Sequence, residues 1–239
     1  MKKQIFLYLL VSIGLLTGCQ ERTDPVNNVV NQQTVDSEAV AITEVEDDDS
    51  AGIVPEGWHV LERVEGEPST AEGDLNQDGI PDLAAVIEQD QDQSQAEGEA
   101  APRALVIAFG NKAHEFTRSV MAQKVMLQAD EGGIWGDPFE QISINRGSVL
   151  VDHYGGSNWR WFSTHRFRYQ NKDWYLIGST NGSYFTGTTA EENADVEDTN
   201  WLTGDYVLRT TDENNKLITT TGNQGKKELI KLADYDIRE

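Results

Sequence analysis

Residues 139–180 read FEQISINRGSVLVDHYGGSNWRWFSTHRFRYQNKDWYLIGST, and this stretch decides the fold. β-Branched and aromatic residues gather in runs at 139–144, 148–154, 159–169 and 173–180, divided by Asn145-Arg146-Gly147 and by Gln170-Asn171-Lys172. Such runs, joined by short turns of residues that tolerate positive φ, predict consecutive antiparallel strands. Within the third run the alternation sorts side chains by face. Trp159, Trp161, Ser163, His165, Phe167 and Tyr169 fall on one side, and Arg160, Phe162, Thr164, Arg166 and Arg168 on the other, because successive strand residues point in opposite directions.

Downstream, 205–211 and 216–221 repeat the pattern around Glu213-Asn214-Asn215. Upstream, Trp58 and Val60 alternate with polar neighbours as a first short strand does, and Leu83 to Ile87 and Ala104 to Phe109 are short apolar runs. Glu88 to Arg103, rich in Gln, Asp, Glu and Ala, reads as a long mobile loop between them. His114 to Gln128 is either a strand pair or one helix, since Phe116, Val120, Met121, Val125 and Leu127 fit neither period cleanly. Gly132-Gly133, Gly155-Gly156-Ser157 and Asn181-Gly182-Ser183 read as corners, serving either as turns or as a binding edge. No propeller-like repeat period emerges. The expectation is a mainly β, antiparallel meander or sandwich forming one domain over residues 55–239, opening at Pro55-Glu56-Gly57 and long enough for a core of its own.

Residues 20–54 are polar and acidic, ending in Glu44, Glu46 and Asp47-Asp48-Asp49, with no aromatic residue and no period. Such a segment cannot bury enough apolar surface to order itself. With Cys19 it is expected to form a disordered tether, 19–54. Before it, Lys2 and Lys3 precede an apolar run from Ile5 to Leu16, then Thr17, Gly18 and Cys19. That is the layout of a secretory signal over 1–18. The apolar run is shorter than the roughly 20 residues a spanning helix needs.

Leu16-Thr17-Gly18-Cys19 resembles the lipobox of bacterial lipoproteins. The resemblance implies cleavage before Cys19, acylation of that cysteine with palmitate-type chains, and an extracytoplasmic protein held to the cell membrane or outer membrane. Two or three chains are what stable anchoring takes. Cys19 is the only cysteine, so its use for lipid leaves no disulfide. Loss of the signal removes two lysines and no acid, lowering the net charge of −22 by two. Charge of this sign excludes electrostatic binding of nucleic acid or anionic lipid and favours cations.

Gly73-Asp74-Leu75-Asn76-Gln77-Asp78-Gly79-Ile80-Pro81-Asp82-Leu83 carries the sharpest chemical signal. Asp74, Asn76, Asp78 and Asp82 stand at positions 1, 3, 5 and 9 of a loop and Gly79 at position 6. A hard cation such as calcium takes roughly six to eight oxygens, which alternate inward side chains plus the Ile80 carbonyl help to supply. Position 12, a bidentate Glu in an EF-hand, is Ala85 here. The loop instead resembles those of FG-GAP and VCBS repeats and dockerins. The resemblance spans 73–83 and implies Asp74, Asn76, Asp78, Ile80 and Asp82 as Ca2+ ligands without implying a shared fold. The other reading is an Asx-rich turn without an ion.

Arg160, Arg166 and Arg168 suit an anion or sugar-acid site, or pairing with the protein's own acids across the sheet. Trp159 and Trp161 belong to an aromatic-rich stretch that is either core or a sugar-binding surface. His59, His114, His153 and His165 show no ligand spacing, and neither a zinc-protease motif nor a nucleophile elbow occurs. No catalytic residue is expected. The leading expectation is a membrane-anchored, calcium-binding module with glycans as ligands. An envelope protein-protein interaction factor using calcium structurally is the alternative from another class, and a hydrolase with paired acids the third.

Overall fold

The computed structural model describes residues 52–91, 99–212 and 216–239. The signal, Cys19 and almost all of the tether therefore lie outside the described residues. The chain divides into Met1–Val45 and Glu46–Glu239, and every described residue belongs to the second unit.

Among the described residues fourteen strands build it: β1 Trp58–Val60, β2 Glu62–Val64, β3 Glu67–Pro68, β4 Thr70–Gly73, β5 Asp82–Gln89, β6 Arg103–Gly110, β7 Phe116–Ala122, β8 Phe139–Ile144, β9 Val149–Gly156, β10 Trp159–Gln170, β11 Asp173–Phe185, β12 Asp195–Asn200, β13 Asp205–Thr211 and β14 Leu217–Asn223. β8 to β14 form one seven-stranded antiparallel meander in chain order. A five-stranded sheet runs β1-β5-β6-β7, with β4 also paired to β5. The mainly β, antiparallel architecture read from the sequence is the one observed.

The two sheets share a core. Val86 and Leu105 of the smaller sheet cluster with Phe139, Val151, Phe167 and Trp174 of the larger. The opposite face of β5 and β6 is also buried, through Leu83, Ala85, Ile87, Val106 and Ala108, under Ile53. Burial on both faces is why these strands read as unbroken apolar runs, whereas β9 and β10 alternate. Ile53 is fully buried and its carbonyl accepts a hydrogen bond from Arg118 at 3.2 Å. Ile53 and Val54, which the sequence reading placed before the domain, thus pack with it.

Two further expectations are corrected, and one left open is decided. The corner expected at Asn181-Gly182-Ser183 is mid-strand in β11: a Cβ on Gly182 would stand 2.1 Å from the Phe162 ring, so the glycine is there for close approach and makes no turn. The loop expected from Glu88 to Arg103 has strand at both ends, with Glu88 and Arg103 paired across β5 and β6. Of the ambiguous stretch 114–128, Phe116–Ala122 is a strand and Val125 and Met126 are buried beyond it.

Candidate functional site

The acidic loop lies between β4 and β5 and is pinned by Leu75, which is 1% exposed in the shared core. Gln77 and Gly79 adopt φ of 67° and 82°, left-handed steps at alternate positions that curl the backbone. Asp74 gathers the curl. Its Oδ1 accepts from the amides of Gln77 at 2.7 Å and Asp78 at 3.2 Å, and its Oδ2 from Gly79 at 3.0 Å. The Asp78 amide also donates to Asn76 Oδ1 at 2.9 Å, the Ile80 amide to Asp78 Oδ1 at 2.8 Å, and Asn76 Nδ2 to Asp78 Oδ2 at 3.0 Å. Asp74, Asn76 and Asp78 are thereby brought together.

Asp82 stands apart from them in environment. It is fully buried, and its carboxylate accepts from Leu75 at 2.8 Å, Asn76 at 3.1 Å and Gly110 at 3.0 Å. Burial pushes its pKa above the ordinary 3.8, the three amides oppose that rise, and the Asp78 charge adds to it. A cation nearby would reverse the balance by favouring the ionised form.

The donor set is all hard oxygen, and these hydrogen bonds leave acceptor lone pairs on each of the four side chains. In donor type, the residues fit calcium. Asp74, Asp78 and Asp82 do not, however, close into a three-carboxylate cluster, and among the described residues no three His, Cys, Asp or Glu side chains do. Calcium held here would rely on Asn76 and the Ile80 carbonyl beside the acids.

The five binding candidates of β10 separate. Trp159 and Trp161 project to the opposite side of the strand from the arginines, in register with Phe185 and Ser183. Trp159 is 64% exposed and tilts against Phe185 with centroids 5.4 Å apart. Trp161 lies over Gly155, where a Cβ would come within 2.6 Å of the indole. Arg160 places its guanidinium 4.1 Å from the centre of the Trp135 ring, and its buried Nη1 has no hydrogen-bond partner among the described residues. Trp135 is itself 57% exposed.

Arg166 and Arg168 instead line an open cleft of about 540 Å³ with Arg146, Thr164, Thr180 and Asp198 among its walls. Pairing of Arg160, Arg166 and Arg168 with the protein's own acids, the expected arrangement, does not occur among the described residues. Arg166 donates to the Asn145 carbonyl at 3.4 Å and Arg168 to Ser148 Oγ at 3.2 Å. The acids on this face are taken by threonines instead: Thr164 donates to Asp152 at 2.5 Å and Thr180 to Asp198 at 2.6 Å.

Sequence reasoning missed Arg146, which it assigned to a turn, and Asp198, whose strand it did not find. One signal for Arg146 was present. Asn145 and Ser148 exchange backbone hydrogen bonds of 2.9 and 3.2 Å, with Arg146 at φ 52° and Gly147 at φ 66°. That is a two-residue hairpin with both central residues left-handed, where Asn-Gly is the favoured pair and arginine is out of place.

No family model, curated protein or solved structure matches this chain. The fold and site define an antiparallel β protein, its core between a five- and a seven-stranded sheet, with an oxygen-rich loop on one connection and an arginine-lined cleft on the larger sheet.

Proposed function

We propose that the chain is a calcium-binding surface lipoprotein, anchored through Cys19, that works as a binding module for glycans. The observation that carries the reading is the curled 74–82 loop, in which Asp74, Asn76 and Asp78 are drawn together beside a buried Asp82. Calcium supplies charge neutralisation and loop order there, held by Asp74, Asn76, Asp78, Asp82 and the Ile80 carbonyl. The glycan part is supported by Trp135 and Trp159, which are 57% and 64% exposed, with the Arg160 guanidinium beside the Trp135 ring. Aromatic rings of that kind offer an apolar face to a sugar while the neighbouring groups hydrogen-bond its hydroxyls.

Calcium is expected to raise the melting temperature. At a hundredfold excess over Kd the gain is about 2.7 kcal/mol, or roughly 5–10 °C for a domain of this size. Asp78→Ala should abolish the rise and leave the chelated protein almost unchanged, since Asp78 is exposed. Asp82 is the wrong residue for this test, because its removal also strips three backbone amides of their acceptor. Melting that is identical with calcium and with chelator, in both proteins, contradicts the reading. For the ligand, a glycan array with and without calcium should show binding that Trp159→Ala weakens; an array blank in both conditions removes the glycan assignment.

A further inference from the structure

We propose that the cleft lined by Arg146, Arg166 and Arg168 is a binding site for a carboxylated sugar, a uronic-acid unit of an acidic oligosaccharide. The proposal rests on the reading of the chain as a glycan-binding module and names the chemical class taken at a second place on it. It requires neither the calcium loop nor the exposed tryptophans.

Acids outnumber bases 41 to 19 in this chain, so a surface arginine has carboxylates on every side. Arg238 and Arg63 have each taken one, as has the buried Arg103. The three cleft arginines have not: no ion pair to any of them occurs among the described residues, and the bonds from Arg166 and Arg168 go to a neutral carbonyl and a hydroxyl. Three guanidinium groups lining one cleft with a single carboxylate, Asp198, leave positive charge in excess, and an anion between them offsets it through paired N–H donors.

The backbone adds a second, independent argument. Arg146 occupies the first left-handed position of the hairpin between β8 and β9, where Asn or Gly costs less. Strain kept at such a position signals a use for the side chain.

The rest of the lining selects the class of anion. Thr164, Thr180 and Asn200 present hydroxyls and an amide along β10, β11 and β12, and Asp198 adds a carboxylate that accepts from hydroxyls. A phosphate-rich ligand would meet Asp198 as a repelling charge. A sugar acid brings one carboxylate for the arginines and several O–H donors for Asp198 and the threonines. At about 540 Å³ the cleft lies within the roughly 300–1,000 Å³ range of small-ligand sites.

The test titrates the full-length chain in detergent, in calcium and in chelator, with tri-galacturonate, tri-glucuronate and tri-mannuronate. Carboxyl-reduced trigalactose, inorganic phosphate and inorganic sulfate serve as comparisons. At least one uronate should bind ten times or more tightly than the comparison ligands. Arg166→Gln, Arg168→Gln and Arg146→Asn should each weaken it at least tenfold. Arg146→Asn should also keep or raise the urea midpoint, since Asn suits the turn, which separates loss of a ligand contact from loss of structure. Arg63→Gln, an arginine outside the cleft, should leave uronate affinity intact. The proposal is overturned if no uronate binds, if trigalactose or an inorganic anion binds as well, or if the arginine variants bind like the wild type. Neutral glycans bound through Trp159 with the cleft inert would sink this site alone and leave the binding-module reading standing.

Discussion

Lowering the pH from about 7.5 to about 4.5 is expected to remove roughly 5 kcal/mol of folding stability through His153 and His165 alone. Both are buried, at 1% and 4% exposure, on the inner face of the seven-stranded sheet. Burial drives the His153 pKa from 6.5 down to about 3, helped by the neighbouring His165, and burial drives His165 to about 4 against a weaker pull from Asp152. The unfolded chain binds a proton at each imidazole near 6.5, and the folded one only near those depressed values. Between these limits the unfolded state holds more protons, so stability falls as pH falls, by about 1.4 kcal/mol per unit for each histidine. The loss is complete only below the folded values.

Carboxylates held low in the fold, such as Asp137 and Glu131, add their own loss only as the pH drops toward the ordinary acid range. Asp82, raised by burial, works in the opposite direction. Urea midpoints between pH 7.5 and 4.5 measure the slope. Among the described residues neither histidine Nδ1 has a hydrogen-bond partner, so His165→Leu should cost little at pH 7.5 and remove about half of the slope. A flat profile, or an unchanged slope in the variant, contradicts the buried neutral pair.

Arg103→Ala should destabilise the protein by about 3 kcal/mol or more. Arg103 is 4% exposed and grips Asp137 with two bonds, Nη1 to Oδ1 at 2.6 Å and Nη2 to Oδ2 at 2.8 Å, while Nε reaches Glu88 at 2.7 Å. Burial alone would lift Asp137 above the ordinary carboxylate value, and the Arg103 hydrogen bonds hold it below. Asp137 in turn accepts from the Phe139 amide at 3.0 Å, so the arginine fastens the start of β8 to β6. Truncation leaves two carboxylates short of their partner, and their desolvation is then uncompensated. Urea unfolding reads the loss. Replacing Glu88 and Asp137 by Gln and Asn in the same variant should recover part of it, because neutral amides are cheaper to leave beside a missing cation. Stability within 1 kcal/mol of wild type in the single variant would show the cluster to be solvated.

The meander was legible because its strands have period two and its β8–β9 and β10–β11 turns have two residues, so each partner follows directly in sequence. β12 was not. In Asp195–Asn200 the sole apolar residue is Val196, and the strand is held by pairing with β11 and β13 in place of an apolar pattern of its own. The acidic loop was visible from oxygen spacing, yet nothing local shows that Asp82 would be buried and bound to Gly110, 28 residues away. The arginine cleft was half visible. Alternation placed Arg166 and Arg168 on one face, but its other wall comes from β11 and β12, whose register is a long-range outcome. The absence of acidic partners for those arginines is also a property of the assembled sheet, because Asp152 and Asp198 bond to threonines instead.

The calcium loop is the centre of this account, and calorimetric titration of calcium into the chelator-stripped, full-length protein tests it most directly. The prediction is a single ion per chain in the wild type and none in Asp78→Ala. No binding at millimolar calcium, or binding undiminished by the substitution, would contradict it.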